Sequence, residues 1–155
     1  MPNNWLTVPH FQQEVEYSCV AACVRMVLAP YGDIRTEAEL RSLLDTQPTG
    51  TRAGNVMRVS GSTFEVSLRP SNLAELQQVV ADQQPPIVFL KTGALEYWSM
   101  DIFHAAVLIG LDASTVAVND PYLATAPQTT PLQSFERAWA ETGQFTALIR
   151  PRAKP

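Results

Sequence analysis

The chain has 155 residues, 46% of them hydrophobic and 17% charged, with a formal net charge of −4 at pH 7. That length and apolar share suit one domain spanning 1–155 with its core over about 8–150, and folding then requires neither a metal nor a disulfide. The acidic balance and the lack of a basic run exclude a non-specific nucleic-acid binder, and no stretch reaches the roughly 20 apolar residues of a membrane helix.

Residues 4 to 13 read as extended, interrupted by Pro9. Their surroundings, MPNNWLTVPHFQQ, lack the basic and apolar regions of a signal peptide. With only two cysteines, this predicts reduced thiols in a cytoplasmic protein. Ser18 is a candidate N-cap, and Val20, Cys23, Val24, Val27 and Leu28 recur at helical spacing until Pro30 and Gly32. Thr36 with Glu39 forms the pattern of a capping box for a second helix to about Asp45. QPTGTRAG is a loop, NVMRVS a short helix ended by Gly61, and FEVSLR alternates as a strand. SNLAELQQVVADQQ is an amphipathic helix with Asn72 and Glu75 as a cap pair, closed by Pro85 and Pro86. IVFLK is a buried strand, and residues 92 to 102 are an aromatic-bearing loop. FHAAVLIGL and TVAVN are strands joined by the turn DAS, followed by the long loop NDPYLATAPQTTP. PLQSFERAWAE is a helix and QFTALIR a last strand before a polar tail. Helices concentrate in the first half and strands in the second, which predicts an α+β fold with N-terminal helices packed on an antiparallel sheet.

Both thiols lie where the first helix begins. A thiolate is a far better nucleophile than a thiol, and a free cysteine with a pKa of about 8.5 supplies little of it at neutral pH. Unpaired N–H groups and the positive end of the helix dipole favour the anion, so Cys19 in the first turn gains help that Cys23, one turn deeper on the apolar face, does not. Cys23 reads as a small buried core residue. A cysteine nucleophile also needs a base, a group orienting that base, and donors for an oxyanion. His104 opens the strand HAAVLIG, and the next strand runs into Asn119-Asp120-Pro121. A carboxylate on the neighbouring strand can hold one imidazole nitrogen while the other faces the thiol. Gln13, six residues before Cys19, brings an amide that can join the Cys19 N–H in an oxyanion hole.

Hairpin register decides which residue partners His104, because adjacent strand residues face opposite ways. A two-residue turn, Ala113-Ser114, sets Asp112 opposite Thr115 and His104 on the face of Asn119. A three-residue loop, Asp112 to Ser114, sets Ala106 opposite Asp120 and leaves Asp120 diagonal to His104, at roughly 7–8 Å. The expectation is the three-residue loop, since a carboxylate stabilises an imidazolium better than an amide; a bulge produces the same facing.

Gln13, Cys19, Ala22-Cys23, Met26-Val27-Leu28, the His104 strand and Asn119-Asp120-Pro121 together resemble the double-glycine leader peptidases, bacteriocin-processing cysteine peptidases of the papain-like group. The resemblance covers about residues 8 to 150. It implies a papain-like fold, with Cys19 as nucleophile, His104 as base, Asp120 as its orienter and Gln13 as oxyanion donor. It also implies hydrolysis of a peptide or protein substrate after small residues, commonly glycine, with no cofactor and no metal. Ser18 stands where the family usually has an acidic residue, and Val20 where it has glycine or alanine. The family's best-known members are fused to membrane exporters, and no such segment is present here. Three other readings share these residues: a non-cleaving peptide-binding module, a thiol acyl transferase, and a metal site from Cys19, Cys23, His10 and His104. The last lacks the usual knuckle spacing. Tyr97 and Trp98 are candidates for a cleft wall, and TGTRAG for a cleft edge.

Overall fold

The apolar spacing of CVAACVRMVL becomes α1 (Cys19–Leu28), whose inward residues from Val20 to Val24 and Met26 to Leu28 are all buried. Pro30 falls inside a 3₁₀ turn, Ala29–Tyr31, and Gly32 then takes the left-handed conformation (φ 83°) that ends it. The Thr36/Glu39 capping box forms as expected and starts α2 (Glu37–Leu43). NVMRVS folds as part of a 3₁₀ segment, Ala53–Val59, and β1 (Phe64–Pro70) follows. Asn72 accepts the Glu75 N–H and caps α3 (Leu73–Ala81), ahead of β2 (Ile87–Lys91). Then come β3 (Phe103–Leu111), β4 (Thr115–Asn119), β5 (Gln128–Pro131), α4 (Leu132–Ala140) and β6 (Phe145–Pro151). This computed structural model describes residues 5–153, so Asn4 of the extended segment and the last two residues of the tail lie outside it.

The fold is α+β. One six-stranded sheet runs in the order β1-β6-β2-β3-β4-β5, with every pairing antiparallel. Residues Ala105 to Ile109 of β3 are buried without alternation, as a strand covered on both faces must be. α1 packs on β3 and β2, and α4 on β2, β4 and β5. Fully buried Ala21 and Ala22 in α1, with Ala105 and Ala106 in β3, let helix and strand come close. Among the described residues no helix is long and apolar enough to cross a membrane.

Two expectations change. NDPYLATAPQTTP is not all loop: its end forms β5, an edge strand of four residues paired with β4 from Thr115↔Pro131 to Val118↔Gln128. Short length and a terminal proline hid it, and an edge strand such as β5 tolerates both. The β3–β4 turn is also tighter than expected. The Asp112 N–H donates to Thr115 O at 2.9 Å, so the loop is the two-residue Ala113-Ser114, held by Asp112 Oδ1 accepting from the N–H groups of Ser114 and Thr115. A bulge between Leu108 and Gly110 then shifts the ladder from Gly110↔Ala117 to Leu108↔Val118 and Val107↔Asn119. One step further along that register Ala106 faces Asp120, which puts Asp120 diagonal to His104.

The bulge is tied from outside the hairpin. Ile109 O, displaced from the ladder, accepts the Leu6 N–H at 2.8 Å. The Trp5 indole lies against Gly110, so close that a Cβ there would stand 2.1 Å from Trp5 Cδ1.

Candidate active site

Cys19 is the first residue of α1, and the first bond from the helix back to its cap is Ala22 N–H to Ser18 O. The N–H groups of Cys19, Val20 and Ala21 therefore precede the helical ladder and point from the positive end of its dipole. Ser18 occupies the N-cap position as expected, but its side chain does not cap. Its hydroxyl proton instead has two acceptors in reach, Val15 O at 2.9 Å and Glu37 Oε1 at 3.1 Å. The Cys19 thiol is half-buried, while Cys23 is sealed in the core, and both are free. Burial, with the nearby charges of Cys19 and Asp120, pushes the Cys23 thiol well above its ordinary range, so it stays protonated.

His104, the second residue of β3, sits 2.7 Å from Asp120 Oδ1 through Nε2. An ionised carboxylate can only accept, so Nε2 carries the proton and Nδ1 is left free on the side of the cavity that Cys19 and His104 both line. Asp120 is fully buried and receives three more donors. The Tyr122 N–H reaches Oδ1 at 2.9 Å, and the Trp98 Nε1–H and Tyr97 O–H reach Oδ2 at 2.8 and 3.1 Å. Burial alone would raise the Asp120 carboxyl, but His104 and these donors hold it below the usual carboxylate range. Burial likewise pushes the His104 imidazole down, yet its hydrogen bonds and charge interactions with Asp120 and Cys19 prevail and lift it to about 9. The pair is an imidazolium and a carboxylate at neutral pH.

The aromatic residues before β3 are not the cleft wall expected of them. Tyr97 and Trp98 lie behind Asp120 as hydrogen-bond donors, and the Trp98 ring packs edge-on against His104 with centroids 4.8 Å apart. Tyr122 stacks on Trp98 at 4.7 Å and closes the other side. Only the polar tips of these aromatics hinted at such a role, since their path is set by a loop of irregular backbone.

The N-terminal segment fastens the same corner. His10 Nε2 lies 2.9 Å from Asp120 O, Asn119 Nδ2 donates to Val8 O at 3.0 Å, and the Gln13 N–H donates to Pro121 O at 2.7 Å. Asn119 thus binds the N-terminal segment rather than the imidazole. The Gln13 side chain turns onto its own loop: Nε2 donates to Val15 O at 2.9 Å and Glu16 O at 3.0 Å, while Oε1 is buried without a partner. Both amide hydrogens are engaged. His10, Cys19, Cys23 and His104 do not form a metal-holding cluster among the described residues.

Beside Cys19 and His104 opens a cavity of about 320 Å³, walled by Val20, Phe89, Phe103 and Phe145 on one part and by Thr49, Gly50, Thr51 and Ala53 on another. The TGTRAG segment is the cleft edge expected of it.

A sequence model described as the Peptidase C39 family matches residues 7–153. A C39-like peptidase from Bacillus anthracis is similar in fold, with a TM-score of 0.79 at 17% identity over 97% of this chain and 98% of that one. A double glycine motif protease from an AMS/PCAT transporter, solved in complex with the leader peptide, gives 0.74 at 21% identity over 96% and 94%. The peptidase domain of Streptococcus ComA, a bi-functional ABC transporter of a quorum sensing pathway, gives 0.74 at 21% identity over 92% and 98%. No curated protein matches in sequence.

Proposed function

The chain belongs to the Peptidase C39 family and is a cysteine peptidase, and we propose that Cys19, His104 and Asp120 are its catalytic triad. The observation that carries this is His104, bound through Nε2 to a buried carboxylate and lining one cavity with a cysteine at a helix N-terminus. In this reading the Cys19 thiolate adds to the scissile carbonyl carbon, and the oxyanion settles on the Cys19 N–H. Gln13 becomes the second donor when one of its N–H bonds turns from a loop carbonyl to the substrate. The His104 imidazolium gives its Nδ1 proton to the departing amine, leaving a thioester. His104 then takes a proton from water, whose oxygen attacks the thioester and releases the acid and the thiolate. Asp120 holds the ring in this tautomer throughout.

The substrate we propose, by likeness to the double glycine motif protease in complex with the leader peptide, is a peptide cut after a glycine pair. Val20, next to the nucleophile, lines the cavity with a β-branched side chain, which favours small residues at the cut. Both thiols are unpaired, which suits a cytoplasmic setting. The test is hydrolysis of one peptide with Gly-Gly, Ala-Ala or Leu-Leu before the scissile bond, with Cys19→Ser as the blank. Cleavage confined to Gly-Gly and lost in Cys19→Ser is expected; equal cleavage of all three removes the glycine specificity, and none at all removes the peptidase reading of this site.

A further inference from the structure

A carboxylate that the mechanism above does not use is buried next to it. Glu37 is 1% exposed. It is the first residue of α2, where the Thr36/Glu39 capping box sets its direction and the helix dipole favours its charge. Its Oε1 accepts the Glu14 N–H at 2.9 Å and lies 3.1 Å from Ser18 Oγ. Arg41, one turn on, places Nε 3.1 Å from Oε2, close enough to balance the charge though not angled as a hydrogen bond. Ionised carboxylates are seldom fully buried, and an unpaired one is costly, so this one has a definite set of partners.

Those partners are the two ends of one loop. Glu14 follows Gln13, and Ser18 precedes Cys19. Inside the loop, Gln13 Nε2 and the Ser18 hydroxyl both reach Val15 O, and the Val15 N–H donates back to Ser18 Oγ at 3.2 Å. The turn from Gln13 to Cys19 is thus braced from within by its own polar groups and from α2 by a single carboxylate oxygen. We propose that Glu37 is a positioning residue for the oxyanion side of the site. It holds the Gln13 amide and the Cys19 N–H at a fixed separation, while the side chains of His104 and Asp120 are set by the sheet and by Trp98, the Gln13 N–H to Pro121 O bond joining the two parts through backbone. This rests on Cys19 being the nucleophile of an acyl-transfer reaction.

Two small reagents separate this role from simple structural support. Iodoacetamide is attacked at its CH₂ carbon, the Cys19 sulfur displacing iodide in one step, and no oxyanion forms. With p-nitrophenyl acetate the thiolate adds to the ester carbonyl, an oxyanion forms and collapses, p-nitrophenolate leaves, and water later hydrolyses the acetyl thioester to acetate. Only the second reaction needs the loop. In Glu37→Ala, acylation of Cys19 falls about tenfold or more while its alkylation stays within about twofold, the size expected for misplacing one oxyanion donor. Glu37→Gln, which keeps an oxygen for Glu14 and Ser18, recovers acylation to within about threefold of wild type. If Glu37→Ala does not fold, Ser18→Ala carries the test, with the same split at smaller size. Acylation unchanged, or acylation and alkylation falling in parallel, overturns the proposal, as does a Glu37→Gln no faster than Glu37→Ala. Neither reagent is a peptide, so failure of the wild type to cut Gly-Gly peptides would strike the proposed substrate and leave this ratio standing.

Discussion

Replacing Asp120 by asparagine keeps the shape of the side chain and removes its charge. As a carboxylate it accepts at both oxygens, from His104 and Tyr122 at Oδ1 and from Trp98 and Tyr97 at Oδ2. An asparagine has one acceptor and one donor group, so one of these two sides must meet donor with donor. The imidazole, buried and without its counter-charge, then loses the chief group raising it. In the wild type its value of about 9, against an ordinary 6.5, corresponds to about 3 kcal/mol of preference for the imidazolium. Asp120 comes first among the groups that raise it, so about 2–3 kcal/mol should go with the charge, or on the order of 30- to 100-fold in the imidazolium-to-imidazole ratio at a given pH. The assay is kcat/KM for a Gly-Gly peptide from pH 5 to 10 in wild type, Asp120→Asn and Asn119→Ala. The alkaline limb of the wild type, where the imidazolium is lost, should lie near 9, and in Asp120→Asn it should move down by about 1.5 to 2 pH units as the rate falls. Asn119→Ala, which loses only the bond to Val8 O, should keep its limb in place. A limb that stays near 9 in Asp120→Asn, or an Asn119→Ala as slow as Asp120→Asn, refutes the assignment.

The two thiols should differ sharply: limiting iodoacetamide at pH 6 to 7 labels half-buried Cys19 and spares buried Cys23, read by peptide mass, and equal labelling would remove the nucleophile assignment. Gln13→Ala should leave the melting temperature near wild type and lower kcat by on the order of a hundredfold; wild-type kcat would leave the Cys19 N–H as the sole donor from this loop. Stability should fall with rising pH. The folded His104 value of about 9 exceeds 6.5, so the unfolded chain releases its proton first; the stabilisation is whole below pH 6.5 and is lost as pH rises through 9. Calorimetry should show the melting temperature dropping by several degrees between those limits, with a flatter profile in Asp120→Asn, and parallel profiles would mean the pair is not coupled to folding.

Much of this molecule is written in short-range chemistry. The period of the apolar residues in CVAACVRMVL, the Thr36/Glu39 capping box and the Asn72 cap act over three or four residues, and each forms where the pattern places it. The strands FHAAVLIGL and TVAVN have the bounds read from their composition, and the proposed pairing of Cys19 with His104 rests on a family pattern of residues and spacings. What the chain alone left open was everything settled by contacts distant in sequence. The tight Asp112–Thr115 turn, taken by itself, sets His104 on the face of Asn119, and the imidazole would then lack its carboxylate. The bulge reverses that, and it is kept by Leu6 binding the freed Ile109 carbonyl and by Trp5 lying where a side chain at Gly110 would be. The Trp98 and Tyr97 donors and the buried Glu37 brace were illegible for the same reason. A hydrogen bond between residues 20 or more positions apart leaves no periodicity in the sequence, because its geometry exists only once sheet, helices and loops have packed.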